Sequence, residues 1–83
     1  MKKTVRVTID VEVEVDESKF TEEFLTEFRD SYYNFHTVDD HIQHIAQLEA
    51  RNLLRAEFTE GYGPLADFGI EARAVHQEME IVS

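Results

Sequence analysis

Thr4 to Asp16 reads TVRVTIDVEVEVD and alternates without a lapse. Val5, Val7, Ile9, Val11, Val13 and Val15 hold every odd position, and every even position is polar. Successive side chains leave a strand on opposite sides, so a period of two predicts a strand with one buried face. β-branched residues suit that pleated surface. The run exceeds the usual strand length of about 5–6 residues. Whatever else the chain does, it must supply an apolar cover for that face and tolerate a row of like charges, Asp10, Glu12, Glu14 and Asp16, on the other.

The cover comes from two helical stretches. Thr21 is a good N-cap, and Glu22 and Glu23 in the first turn favour the helix dipole. Phe20 and Leu25 flank the cap at the spacing of a hydrophobic staple. Phe24, Leu25, Phe28 and Tyr32 then share one stripe, which predicts a helix over 21–33. Thr37, with Asp40 three residues on, has capping-box spacing and opens a second helix over 38–57, with Ile42, Ile45, Ala46, Leu53 and Ala56 as its apolar stripe. TEGYGPLADFG holds all three glycines and the only proline, so it is a loop, and Tyr62, Leu65 and Phe68 direct it back onto the core. In IEARAVHQEMEIV the apolar phase changes between Ala74 and Val75, and a β-bulge there would restore one apolar face.

The order strand, helix, helix, strand predicts a single α+β domain over residues 1–83: two antiparallel strands with a helical hairpin packed on one face. A lone two-stranded sheet is marginal in water. Either Phe58-Thr59-Glu60 adds a third strand, or dimerisation extends the sheet, with the long first strand as the template. With 83 residues the core is thin, which favours a homodimer.

Charge bounds the partners. Eighteen acids against eight Lys plus Arg give a net charge of −10. Direct nucleic-acid binding needs a basic surface, and so does an anionic membrane, so neither is expected. A basic protein is the natural partner. No apolar run approaches the roughly 20 residues of a membrane span, and the opening MKKTVRV lacks the apolar stretch of a secretory leader. With no cysteine there is no disulfide frame and no thiolate, and a reducing cytoplasm is the simplest compartment.

The main candidate surface is the acidic ridge of Asp10, Glu12, Glu14, Asp16 and Glu17, joined by Glu22, Glu23 and Glu27. Carboxylates on one strand face recur at about 6.8 Å, a regular spacing that can imitate phosphates, although a solvated strand face with anti-aggregation charge is the commoner reason for such a row. A secondary surface is the locally basic strip of His41, His44, Leu48, Arg51 and Arg55. His41 and His44, with His36 or Asp40, also make a three-ligand set for zinc, but without a clear fourth ligand no metal is expected. Glu49 falls between Ile45 and Leu53 on the apolar stripe, where a carboxylate is costly unless paired, which points to a structural partner to an Arg or Tyr or to the open edge of the stripe, and no nucleophile or second carboxylate accompanies it. No phosphate loop, dinucleotide fingerprint or nucleophile elbow is present, so neither a cofactor nor catalysis is expected.

DDHIQHIAQLEARNLL, followed by EGYGPLADFGIEARAV, resembles small proteins encoded by phages and prophages. Small, acidic, cysteine-free phage proteins include anti-CRISPR proteins and other DNA-mimicking inhibitors. The resemblance implies a protein that works in the host cytoplasm, binding and blocking a nucleic-acid-handling machine. It carries over no site residues. Three functions follow for testing: an inhibitor presenting the acidic ridge to a basic groove, a homo-oligomeric interaction module whose charge serves solubility, and a small metal-binding protein using the histidines.

Overall fold

A computed structural model describes residues 1–83. Strand β1 (Val5–Glu14) leads through a 3-10 turn at Glu17–Lys19 into helix α1 (Glu22–Ser31) and helix α2 (Val38–Ala50). A second 3-10 turn at Leu65–Phe68 precedes strand β2 (Glu71–Ile81). The two strands pair antiparallel as one two-stranded ribbon, in the expected β-α-α-β order, and α2 is the helix that packs directly on it, with α1 joined through the shared core.

Pairing runs from Val5 opposite Ile81 and Val7 opposite Met79 to Val13 opposite Ala72 and Glu14 opposite Glu71. The register shifts once. Asp10 faces His76 but Val11 faces Ala74, so Val75 is the extra residue of a bulge. That bulge moves β2 from one alternation phase to the other and keeps its apolar side chains on the side of the β1 valines, as the sequence requires.

Both helix starts follow their caps. The Thr21 hydroxyl accepts from the Phe24 N–H at 3.1 Å. The Thr37 hydroxyl accepts from Asp40 N–H at 3.2 Å, and the Asp40 carboxylate accepts from Thr37 N–H at 3.2 Å and His36 N–H at 2.9 Å. Phe20 and Leu25, the staple pair, are both buried.

Helix α2 ends at Ala50, seven residues before the expected position 57. Asn52 takes a left-handed conformation (φ 57°), its N–H donates to the Glu49 carbonyl at 3.0 Å, and Leu53 N–H donates to the Leu48 carbonyl at 2.8 Å. This is the Schellman stop, with Asn in the position usually held by Gly. Leu53 therefore lies outside the helix and is exposed. The third strand does not form either. Thr59 makes only a local bridge to Gly63, closing a tight turn, while its hydroxyl donates to the Arg55 carbonyl at 2.8 Å.

The core is small and aromatic. Phe20, Leu25, Phe28, Ile45, Tyr62, Leu65 and Ile70 are buried, with Val13, Val15, Phe24, Phe35, Phe68 and Ala72 packed around them. Tyr62 and Leu65 bring the glycine-rich loop back onto the core, as expected. Gly61 makes this possible, because it has φ 92° and a Cβ there would run into the Phe28 ring. Core and helices gather at the inner end of the ribbon, and the molecule is elongated, 50 × 23 × 20 Å.

Candidate functional site

The ribbon has two faces of opposite chemistry. Its inner face carries the valines and meets the helices. Its outer face sets Arg6 opposite Glu80, Thr8 opposite Glu78, Asp10 opposite His76, Glu12 opposite Arg73, and Glu14 opposite Glu71. Asp10, Glu12 and Glu14 thus share one exposed surface, as the alternation predicts. The second strand adds Glu71, Glu78 and Glu80, which reasoning from the first strand alone missed. Their signal was the alternation of β2 after its bulge.

The second strand also moderates the charge. Arg73 Nη2 lies 3.2 Å from Glu12 Oε2, and His76 Nε2 lies 3.1 Å from Glu78 Oε1. All four side chains are more than half exposed, and ion pairs in water contribute little to stability. Six carboxylates and two arginines remain on the outer face. Glu14 and Glu71 are directly opposed like charges, which costs a few tenths of a kcal/mol.

The other expected members of the ridge lie elsewhere. Asp16 is beyond the end of β1 and caps the 3-10 turn. Its carboxylate accepts from the Ser18 hydroxyl at 2.6 Å and the Ser18 N–H at 3.0 Å, and those bonds hold its pKa below the usual value. Glu17 is exposed in the same turn. Glu22, Glu23 and Glu27 are exposed on α1, within the helical layer on the ribbon's inner side.

The basic strip expected on α2 is broken up: His41 leaves the surface and Arg51 and Arg55 fall beyond the end of the helix. His41 is fully buried, with its ring among Phe20, Phe24, Phe28, Phe35 and Tyr62. The i to i+4 step from His41 to Ile45 puts it on the inward stripe. A neutral imidazole suits an aromatic core. Its Nδ1 lies 2.9 Å from the Tyr62 hydroxyl, while Nε2 has no hydrogen-bond partner. A buried N–H can rest on an aromatic face, whereas a bare lone pair cannot. The Phe28 and Phe35 rings stand edge-to-face to the imidazole at 4.6 and 5.1 Å. Desolvation lowers the His41 pKa to about 4, with His44 adding to the shift and Asp40 opposing it. Burial pushes the Tyr62 phenol up.

His44 is half-buried beside Tyr33 and Phe35, and burial lowers its pKa. Leu48 is half-buried and Arg51 is the exposed cap residue of α2. Arg55 lies past the helix end, and its guanidinium donates to the carbonyls of Asn52 and Leu54 at 2.8 and 3.0 Å. His36 is exposed in the loop before α2, and no three His, Cys, Asp or Glu side chains converge to hold a metal. Glu49 is half-buried on α2 and makes no ion pair. No helix is long and apolar enough to cross a membrane.

What the geometry offers is a two-faced ribbon on a small aromatic core. No protein-family model, no curated protein and no solved structure matches the chain.

Proposed function

We propose that the protein acts by binding and not by catalysis. It presents the carboxylate-rich outer face of the ribbon to a basic, nucleic-acid-binding surface of a host protein and blocks it, in the manner of the anti-CRISPR and DNA-mimicking inhibitors among small acidic phage proteins. The observation that carries this reading is the register of the ribbon. It places Asp10, Glu12, Glu14, Glu71, Glu78 and Glu80 on one face, opposite the side the helices cover.

Magnitudes limit what such a face can imitate. Ten residue pairs at about 3.4 Å each span roughly 34 Å, so the net charge falls about once per 8 Å, against one per 1.7 Å of duplex axis. The face therefore suits a short basic patch and not a long DNA channel. The same sparseness, with the Arg73–Glu12 pair, favours a second reading, in which the charge keeps a homo-oligomeric interaction module soluble.

The test is capture from a bacterial lysate by the wild type and by the Asp10→Lys, Glu12→Lys, Glu14→Lys triple variant. The exposed side chains make a folded variant the expected result by circular dichroism. The wild type should retain a basic nucleic-acid-binding protein at low salt and release it to high salt or to added duplex DNA, and the variant should retain none. A folded variant that captures the same protein equally well removes the outer face from the function.

A further inference from the structure

The inner face of the ribbon changes character along its length. Val13, Val15 and Ala72 pack on the core, and Ile9 and Val11 are half-buried. Beyond them the face is bare: Val5 is 47%, Val7 51%, Val75 48%, Met79 69% and Ile81 67% exposed. Val5 opposes Ile81 and Val7 opposes Met79, so these side chains form one patch. Together they expose on the order of 500 Å² of apolar surface, toward the upper end of the largest patch a monomer carries, which is often functional.

We propose that a second copy of this chain packs on this patch, inner face against inner face, to give a homodimer with both acidic faces turned outward. This holds whether or not the outer face binds a basic protein. Three arguments select the second copy. The first is permanence. Only 9 of 83 residues are buried, so the fold needs a lasting cover, and another copy is the one partner always present in equal amount. The second is area. With Ile9, Val11 and a polar rim, the patch approaches the ~800 Å² that each partner gives to a standard interface.

The third argument is charge. A chain of net charge −10 repels its copy, so two copies can meet only where charge is distant. The bare stretch of inner face holds Val5, Val7, Val75, Met79 and Ile81, bordered by Ile9 and Gln77, with no ionisable group among them. Stacked sheets lie about 10 Å apart. With a side chain's length added on each side, the two outer carboxylate rows stand roughly 20 Å apart, more than twice the ~8 Å Debye length at physiological salt. Edge-to-edge pairing through β1, the arrangement the sequence suggests, would leave the apolar patch in water on both chains. Face packing covers it.

The first measurement is sedimentation equilibrium at micromolar concentration. The expected mass is twice 9.7 kDa, and a monomer mass overturns the proposal. The second is the Val7→Lys, Met79→Glu double variant, which preserves net charge and sets an opposite-charge pair across the strands. Its dimer affinity should fall by at least about 100-fold, as for a central interface contact, and a dimer of unchanged affinity overturns the assignment to this face. Should that variant fail to fold, single cysteines decide the question, since the chain has none. With a short bismaleimide, Val7→Cys on the inner face should cross-link to its copy and Thr8→Cys on the outer face should not. Equal cross-linking at both positions indicates edge pairing and overturns face packing.

Discussion

At the scale of single residues, His41 has the clearest measurable consequence. Its ring titrates at about 4 in the folded protein against an ordinary value of 6.5, mainly because burial disfavours the imidazolium. Between those two pH values the unfolded chain holds the extra proton. The contribution of this ring is therefore fully present above about pH 6.5 and is lost as pH falls toward 4, at up to about 1.4 kcal/mol per pH unit. Urea titrations from pH 7 to 4 should show this loss, and His41→Leu should flatten most of it. A residual slope belongs to His44, whose pKa burial also lowers, and toward pH 4 to Asp16 and Asp40, whose carboxylates are held low by the hydrogen bonds they accept. An unchanged slope in His41→Leu would move the acid sensitivity elsewhere. The sequence did hint at this ring, through its spacing to Ile45. What it hid was that the helix turns both positions into a cage of phenylalanines drawn from α1 and two separate loops. Burial of a polar ring depends on such distant partners, and local spacing does not reveal them.

At the scale of elements, caps and alternation were legible because each is written in a few adjacent residues. Thr21, Thr37 with Asp40, and the phase change at Ala74–Val75 all formed as their chemistry dictates. The end of α2 was misplaced because Leu53 and Ala56 continue the helical stripe while Asn52 interrupts the backbone, and apolar spacing says nothing about φ. For an L-residue the left-handed conformation costs about 1–2 kcal/mol, less for Asn and nothing for Gly. Asn52→Ala should therefore lower stability in urea by about 1 kcal/mol, whereas Asn52→Gly should match or exceed the wild type. Equal effects of the two substitutions would mean that the stop does not rest on this residue. The acidic site was half legible for a related reason. Asp10, Glu12 and Glu14 follow from β1 alone, but their neighbours on β2 depend on a register that the bulge decides.

At the scale of the whole molecule, charge and shape act together. Most of the net charge of −10 has no partner, so self-repulsion is relieved by screening. Raising NaCl from about 0.01 to 0.15 M shortens the Debye length from about 30 to 8 Å and should raise Tm. A fall in Tm would mean that attractive pairs such as Arg73–Glu12 dominate. The shape adds a constraint of timing. Val5 pairs with Ile81 and Glu14 with Glu71, so β1 has no partner strand until nearly all of the intervening chain exists. At roughly 5–20 residues per second, a ribosome leaves that alternating strand waiting for several seconds. Many nascent copies on one messenger would then display the same bare, pairing-competent strand side by side. Two such strands in register would set the carboxylates of one against those of the other, and each directly opposed like pair costs a few tenths of a kcal/mol, so the acids of β1 would oppose that pairing during synthesis, before any partner is met.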